Sequence, residues 1–270
     1  MNTDIRPFKI EDSETVHKLF PEDWGFHFLS FIKMHIKQNY FKTISLIDFE
    51  KVFGYGNIFL FGKIGWLGNI VVAEEYRNKG FGTRITVELM EIGKRFGVTA
   101  FNLIATELGE FVYKKLGFER ELLYEFYDSP ESRITFNTSN TVKDLSIKHI
   151  DLITNLDFLS TGEKRGELLK NFLQYSKGLF NRQNELEGFY LKEFGNGLIV
   201  SKDNASGIEL MKLMINDRKI IVITDKNIPA KEFLLSTGYK MKKSAPRMIL
   251  GEKYRWKPEN IFSRASGYLG

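Results

Sequence analysis

The residues Arg77-Asn78-Lys79-Gly80-Phe81-Gly82-Thr83 have the makings of an anion-binding loop. Two glycines spaced two apart let the backbone turn sharply and approach a ligand closely. After them Ile85, Leu89, Ile92 and Phe96 recur at helical spacing. The first turn of such a helix carries N–H groups without intrahelical partners, together with the positive end of the helix dipole. That combination binds phosphate. Arg77 and Lys79 add positive charge at the same place. The competing reading is a plain strand-to-helix turn in which the glycines serve geometry alone.

The elements around the loop bear on that choice. An apolar run at residues 66–72 reads as a central strand buried on both faces. A second apolar run occupies residues 100–105. The stretch Tyr113-Lys114-Lys115-Leu116-Gly117-Phe118 reads as the end of a helix with Gly117 as its cap. Strand, glycine loop, helix, strand and helix in this order resemble the GNAT superfamily of N-acetyltransferases, whose pyrophosphate-binding signature residues 77–82 match. The resemblance covers the first half of the chain.

The resemblance implies acetyl transfer from acetyl-CoA, used as a cosubstrate, to a primary amine of a small molecule or peptide, without a metal. It implies that the backbone of Ile70, Val71 and Val72 pairs with pantetheine. The Ile70 N–H would also polarise the thioester carbonyl. Arg77, Asn78, Lys79, Gly80, Phe81, Gly82 and Thr83 would hold the pyrophosphate. Tyr113 matches the general acid that protonates the departing thiolate. Thr106 stands where an asparagine is frequent at the start of the last helix, and a hydroxyl replaces one of its hydrogen bonds but not both. Some members carry a general-base Glu four residues before the position of Ile70. Here that residue is Trp66, with Glu107 or water as substitutes. Two alternatives stay open: an acyl-CoA-binding sensor or partner-binding protein without catalysis, and a protein-lysine acetyltransferase.

Composition narrows the classes further. A chain of 270 residues accommodates two domains. The formal charge of +5 suits an anionic ligand, but no dense Lys/Arg run points to nucleic acid. With no cysteine, disulfides, thiolate nucleophiles and Cys-based zinc sites are excluded. His27 and His35 without a third ligand make a poor metal site. No run has membrane-spanning length and residues 1–6 lack the apolar core of a signal peptide, so a cytoplasmic protein without membrane partners is expected.

The second half repeats the first in outline. Counted from Thr106, residues Gly109, Val112, Tyr113, Gly117 and Phe118 have the same offsets as Ala230, Phe233, Leu234, Gly238 and Tyr239 counted from Asn227. Apolar runs at 198–201 and 219–224 supply the matching strands. Leu234 replaces Tyr113, and residues 201–206 lack the Gly-x-Gly and carry Asp203. The expected fold class is therefore α/β (α+β), with two tandem GNAT-like domains, each a mixed, mostly antiparallel central sheet flanked by helices. The competent acetyl-CoA-binding domain would span residues 1–138 and a degenerate domain residues 139–270. One acetyl-CoA per chain is expected, and a chain cut near residue 138 is expected to keep it. The second half would contribute surface to the acceptor site, with residues 24–40 and 254–262 as candidate walls. Smaller expectations are a helix capped by Asp12, one helical stretch over 24–40, and a capping box at Ser160-Thr161-Gly162-Glu163.

Overall fold

The computed structural model describes residues 3–131, 134–137 and 139–269. Two compact units emerge. The first holds the chain up to Glu119 together with Met248–Glu252, and the second holds Arg120–Arg247 and Lys253–Tyr268. The junction expected near residue 138 falls outside the described residues. The chain leaves the first unit at Glu119, well before that point, and returns to it for Met248–Glu252. A chain cut near residue 138 would therefore lack part of the first unit.

In the first unit β1 (Thr3–Pro7) is followed by α1 (Ser13–His17) and α2 (Phe28–His35). The meander β2 (Phe41–Asp48), β3 (Lys51–Phe61) and β4 (Ile64–Val72) comes next. Then come α3 (Phe81–Arg95), β5 (Ala100–Ile104) and α4 (Glu107–Lys115). Strands β1 to β4 pair antiparallel in chain order, and β5 joins β4 in parallel. Ile85 and Leu89 of α3 are fully buried against Ile44, Leu46, Phe53 and Ile58 of the sheet. The helix comes so close that an added Cβ at Gly56 would lie 2.5 Å from Ile85. Only glycine fits there.

The opposite face of the sheet carries α1 and α2 on aromatic packing. Phe28 meets Tyr55 edge-on at 5.0 Å and stacks on Phe20 at 5.3 Å. His35 lies among Phe31 at 4.9 Å, Phe59 at 5.0 Å and Phe41 at 5.6 Å. It is therefore a core histidine.

Asp12 does precede α1, but its carboxylate makes no cap to it. The carboxylate receives both Arg6 nitrogens, at 2.7 and 2.9 Å, and the Lys9 N–H at 3.1 Å. A charged bidentate partner outbids a neutral helix N–H. Residues 24–40 do not form one helix. A 3₁₀ turn over Glu22–Trp24 ends at Gly25 in the left-handed region, and α2 spans only Phe28–His35.

The second unit takes up β6 (Glu119–Asp128) from Arg120 onward. It continues with β7 (Val142–Asp144), α5 (Ile150–Thr161) and α6 (Gly166–Leu169). After these come β8 (Lys177–Phe180), β9 (Leu186–Leu191), β10 (Leu198–Ser201) and α7 (Asn204–Asp217). The last elements are β11 (Ile220–Thr224), α8 (Ile228–Ser236), β12 (Lys240–Gly251) and β13 (Ile261–Ser263). One sheet runs β7-β8-β9-β10-β13, all antiparallel, and β6 pairs antiparallel with β11.

The internal repeat holds at atomic detail in α4 and α8. Thr106 and Asn227 both cap their helices by accepting the N–H three residues on, from Gly109 at 3.1 Å and Ala230 at 3.0 Å. Both helices close at a left-handed glycine, Gly117 and Gly238, with Phe118 N–H to Tyr113 C=O and Tyr239 N–H to Leu234 C=O, each 3.0 Å.

The capping box expected at 160–163 is absent. Ser160 and Thr161 end α5 and left-handed Gly162 caps it. Glu163 is buried and lies 3.4 Å from Arg165, which binds Asp157 bidentately at 2.8 Å. A buried guanidinium without carboxylates would be costly, and this pairing claims Glu163.

His35 makes the first unit's stability depend on pH. Burial pushes its imidazole down to about 4 from the ordinary 6.5, and among the described residues its Nδ1 has no hydrogen-bond partner. The folded chain holds the ring neutral while the unfolded chain protonates it. Stability is thus fully present above pH 6.5 and is lost as pH falls from there toward 4, by up to about 3 kcal/mol. Urea unfolding of wild type and His35→Phe across this window should show the difference between them growing as pH drops. A difference independent of pH would mean that the imidazole is charged in the fold.

Candidate active site

The site is laid out by a fault in a β-ladder. On β3 and β4, Tyr55 faces Val71 and Asn57 faces Gly68, so Gly56 alone opposes both Asn69 and Ile70. This is a β-bulge, which adds twist and bends the strand. Asn69 takes up the extra residue at φ 54°, a conformation that asparagine tolerates better than most residues. Its side-chain amide donates to the Asn57 Oδ1 at 2.9 Å, and Asn57 is fully buried. On the other edge of β4, pairing with β5 covers only Ile64–Ala100, Gly65–Phe101 and Trp66–Asn102. Beyond Trp66 the two strands part. Ile70, Val71 and Val72 therefore lie where β4 has no ladder to β5. Backbone groups so placed need a partner from elsewhere.

Next along the chain is the glycine loop. Tyr76 stacks on Phe53 at 4.1 Å and donates its hydroxyl to Asp48 at 3.2 Å, fixing the approach. Asn78 at φ 61° and Gly80 at φ 80° make the turn into α3. Arg77 donates Nε to the Val72 C=O at 3.1 Å. Lys79 donates to the Glu75 C=O at 2.9 Å and lies over the Tyr76 ring at 5.6 Å. Both cations are thus held at the loop with their charge exposed. Gly80 is the N-cap of α3, and no side chain caps that helix. An added Cβ at Gly80 or Gly82 would meet nothing within 4 Å. An uncapped helix start, two held cations and open space in front of both glycines fit an anion such as a pyrophosphate. Phe81 packs edge-on against Phe53 at 4.9 Å, and Thr83 follows in the first turn.

Tyr113 lies on α4, half-buried, against the core that also receives Ile70, Val72, Tyr76 and Phe81. The structure thus brings the candidate acid, the strand strip and the start of the helix onto one hydrophobic cluster. The ring meets Phe118 edge-on at 5.8 Å and covers Gly109, where an added Cβ would lie 3.1 Å from it. Burial pushes its phenol up to about 12, so the proton stays on at neutral pH. The Thr106 oxygen accepts the Gly109 N–H, which leaves the O–H free to donate. Trp66 is fully buried and carries no carboxylate, while Glu107 is exposed in the first turn of α4. Among the described residues no group of three or more His, Asp or Glu could hold a metal ion, and no helix is long and apolar enough to cross a membrane.

Asn57 and Asn69 carry no chemical signal in residue type alone. An Asn-Ile pair inside an apolar run was their only trace, since a residue with positive φ in a strand is weakly encoded.

Comparison with known proteins agrees with this geometry. Residues 8–118 match the model of the Acetyltransferase (GNAT) family. No curated protein matches the chain in sequence. A provisionally assigned acetyltransferase from Pyrococcus horikoshii is similar over 100% of this chain and 96% of its own, at 22% identity and a TM-score of 0.85. A tandem GNAT protein from the clavulanic acid biosynthesis pathway is similar over 92% of this chain and 98% of its own, at 11% identity and a TM-score of 0.60. A GCN5-related N-acetyltransferase from Anabaena variabilis is similar over 92% and 72%, at 12% identity and a TM-score of 0.61. At such identities the structural likenesses show the fold.

The bulge yields a test of its own. Asn69→Gly keeps the left-handed backbone and loses the clamp to Asn57, so it should cost about 1 kcal/mol. Asn69→Leu loses the clamp and also forces a branched side chain into that backbone, for about 2 kcal/mol or more. Urea unfolding of the pair measures both. Equal losses would show that the backbone conformation does not select Asn69.

Proposed function

We propose, from the match of residues 8–118 to the GNAT family model and from the geometry above, that the first unit binds acetyl-CoA and transfers its acetyl group to a primary amine of a small molecule or peptide. The observation that carries this reading is the uncapped start of α3 behind two glycines facing open space, beside a strand that parts from its neighbour. The loop amides from Asn78 to Thr83 receive the pyrophosphate, with the charges of Arg77 and Lys79 beside it. The backbone of Ile70, Val71 and Val72 takes up pantetheine as the missing partner strand, and Thr106 donates its hydroxyl to the cosubstrate.

In the chemical step the Ile70 N–H holds the carbonyl oxygen as negative charge gathers on it. The amine nitrogen forms a bond to the carbonyl carbon and the carbon–sulfur bond breaks. Tyr113 gives its phenolic proton to the sulfur, and the surplus proton of the amine leaves to water, since Trp66 supplies no base. In this reading the competent domain, expected over 1–138, is the first unit, which also takes in Met248–Glu252, and the degenerate domain, expected over 139–270, is the second. Asp203 supports the second part: its carboxylate caps α7 by accepting the Ser206 N–H at 2.9 Å, where α3 is bare. Leu234, the counterpart of Tyr113, is fully buried in the core.

A second reading, a non-catalytic acyl-CoA-binding protein, draws support from Trp66 standing at the base position. Release of free CoA thiol in the presence of an amine panel separates the two.

Gly82 offers a test in which fold and function part. Because an added side chain there meets open space, Gly82→Val should unfold within about 1 kcal/mol of wild type. It should nonetheless lose acetyl-CoA binding by calorimetry. Unchanged affinity would remove the loop from the binding site. Tyr113→Phe keeps the ring and deletes the proton. It should lower kcat by about a hundredfold or more with acetyl-CoA affinity unchanged. Wild-type turnover with chemistry rate-limiting would leave Tyr113 as packing alone.

A further inference from the structure

The second unit contains the counterpart of the gap between β4 and β5, and in this unit the gap is filled. Strands β10 and β11 do not pair with each other. Between them runs β13. On one side it pairs antiparallel with β10, Ser263 opposite Ile199 and Ile261 opposite Val200. On the other, the Arg264 N–H donates to the Val222 C=O of β11 at 2.8 Å.

Side chains at the end of β11 and the start of α8 hold the segment as they would hold a ligand. Asn227 donates its amide to the Glu259 C=O at 2.8 Å and to the Ile261 C=O at 3.1 Å. Thr224 donates its hydroxyl to the Pro258 C=O at 3.0 Å. The Phe262 ring lies flush on α7 at Gly207, where an added Cβ would come within 2.3 Å of it. Asn227 and Gly207 are both explained by the inserted strand. The first offers donors to two carbonyls two residues apart, one in the 3₁₀ turn and one in the strand, and the second removes the side chain that would push Phe262 out.

We propose that this cleft is a binding site for a peptide segment, filled in cis by the 3₁₀ turn Pro258–Asn260 and the strand Ile261–Ser263 that follows it, and that the insertion takes the place an acyl-CoA would need in the second unit. The proposal rests on the reading of the first unit's open gap as a cosubstrate site. The strand satisfies the exposed edge of β10 by β-augmentation: main-chain bonds supply the affinity, and Phe262 at Gly207 supplies the register. Asn227 is then a ligand-binding residue whose ligand is the chain itself.

Hydrogen exchange on the intact chain, with and without saturating CoA, tests this. The amides of residues 261–264 should exchange at least about a hundredfold more slowly than unstructured backbone. Asn227→Asp keeps the cap acceptor for Ala230 and turns two donations into repulsion. Thr224→Val deletes one donation at nearly constant shape. Each should speed exchange at 261–264 by about tenfold and leave α3 and β4 unchanged. Native mass spectrometry should count one CoA per wild-type chain. Unprotected amides at 261–264, or two CoA per wild-type chain, would overturn the proposal. Protection at 261–264 with no CoA bound at all would instead sink the cosubstrate reading of the first unit while supporting the filled cleft.

Discussion

A strand that leaves its neighbour partway along a sheet exposes backbone N–H and C=O groups that must find partners. That requirement governs both halves of this protein. In the first unit the bulge at Asn69 and Ile70 bends β4, and its ladder to β5 ends at Trp66. The strip beyond it has no ladder to β5, and in the proposed reading a ligand takes it up. In the second unit the corresponding strip on β10 receives β13. On that reading one physical problem has two solutions in one chain, an external partner and an internal one. The helix starts follow suit. The N-terminus of α3 stays bare at Gly80, whereas Asp203 closes that of α7. A carboxylate at a helix start satisfies the same donors and dipole that an anionic ligand would.

Much of the fold was legible in the chain. Strand β6 (Glu119–Asp128) stands out as an apolar run between charged ends, although its buried face shifts where Tyr124 and Glu125 are both buried. The matched offsets from Thr106 and Asn227 became two helices with the same cap and the same left-handed closure. Such signals are local, and local chemistry decides them. What escaped was set by partners far away in sequence. Asp12 follows Arg6 rather than α1. Glu163 belongs to Arg165 rather than to a helix start. Residues 258–261 are held by Thr224 and Asn227, more than thirty residues earlier in the chain. Asn227 could not be distinguished from an ordinary helix cap, because one face of its amide does serve as one.

The loop was read from residue types, but its construction was not. Arg77 and Lys79 looked like charges waiting for a phosphate. In the fold they also brace the turn, by Nε to the Val72 C=O and Nζ to the Glu75 C=O. The same side chains thus shape the loop surface and charge it. Preorganised donors of this kind pay little reorganisation when a ligand arrives.

The sharing of β12 between the units has a consequence for synthesis. Its last residues, from Met248 onward, belong to the first unit, whose β5 appears in the chain some 150 residues earlier. At about 5–20 residues per second, the ribosome needs roughly 10–30 s to travel from one to the other. Throughout that time the first unit lacks its closing segment. Protease sensitivity of stalled nascent chains should therefore persist past Glu119 and fall only once Glu252 has emerged. A chain built this way is made in one direction but can be completed only from its far end, so its two halves mature together.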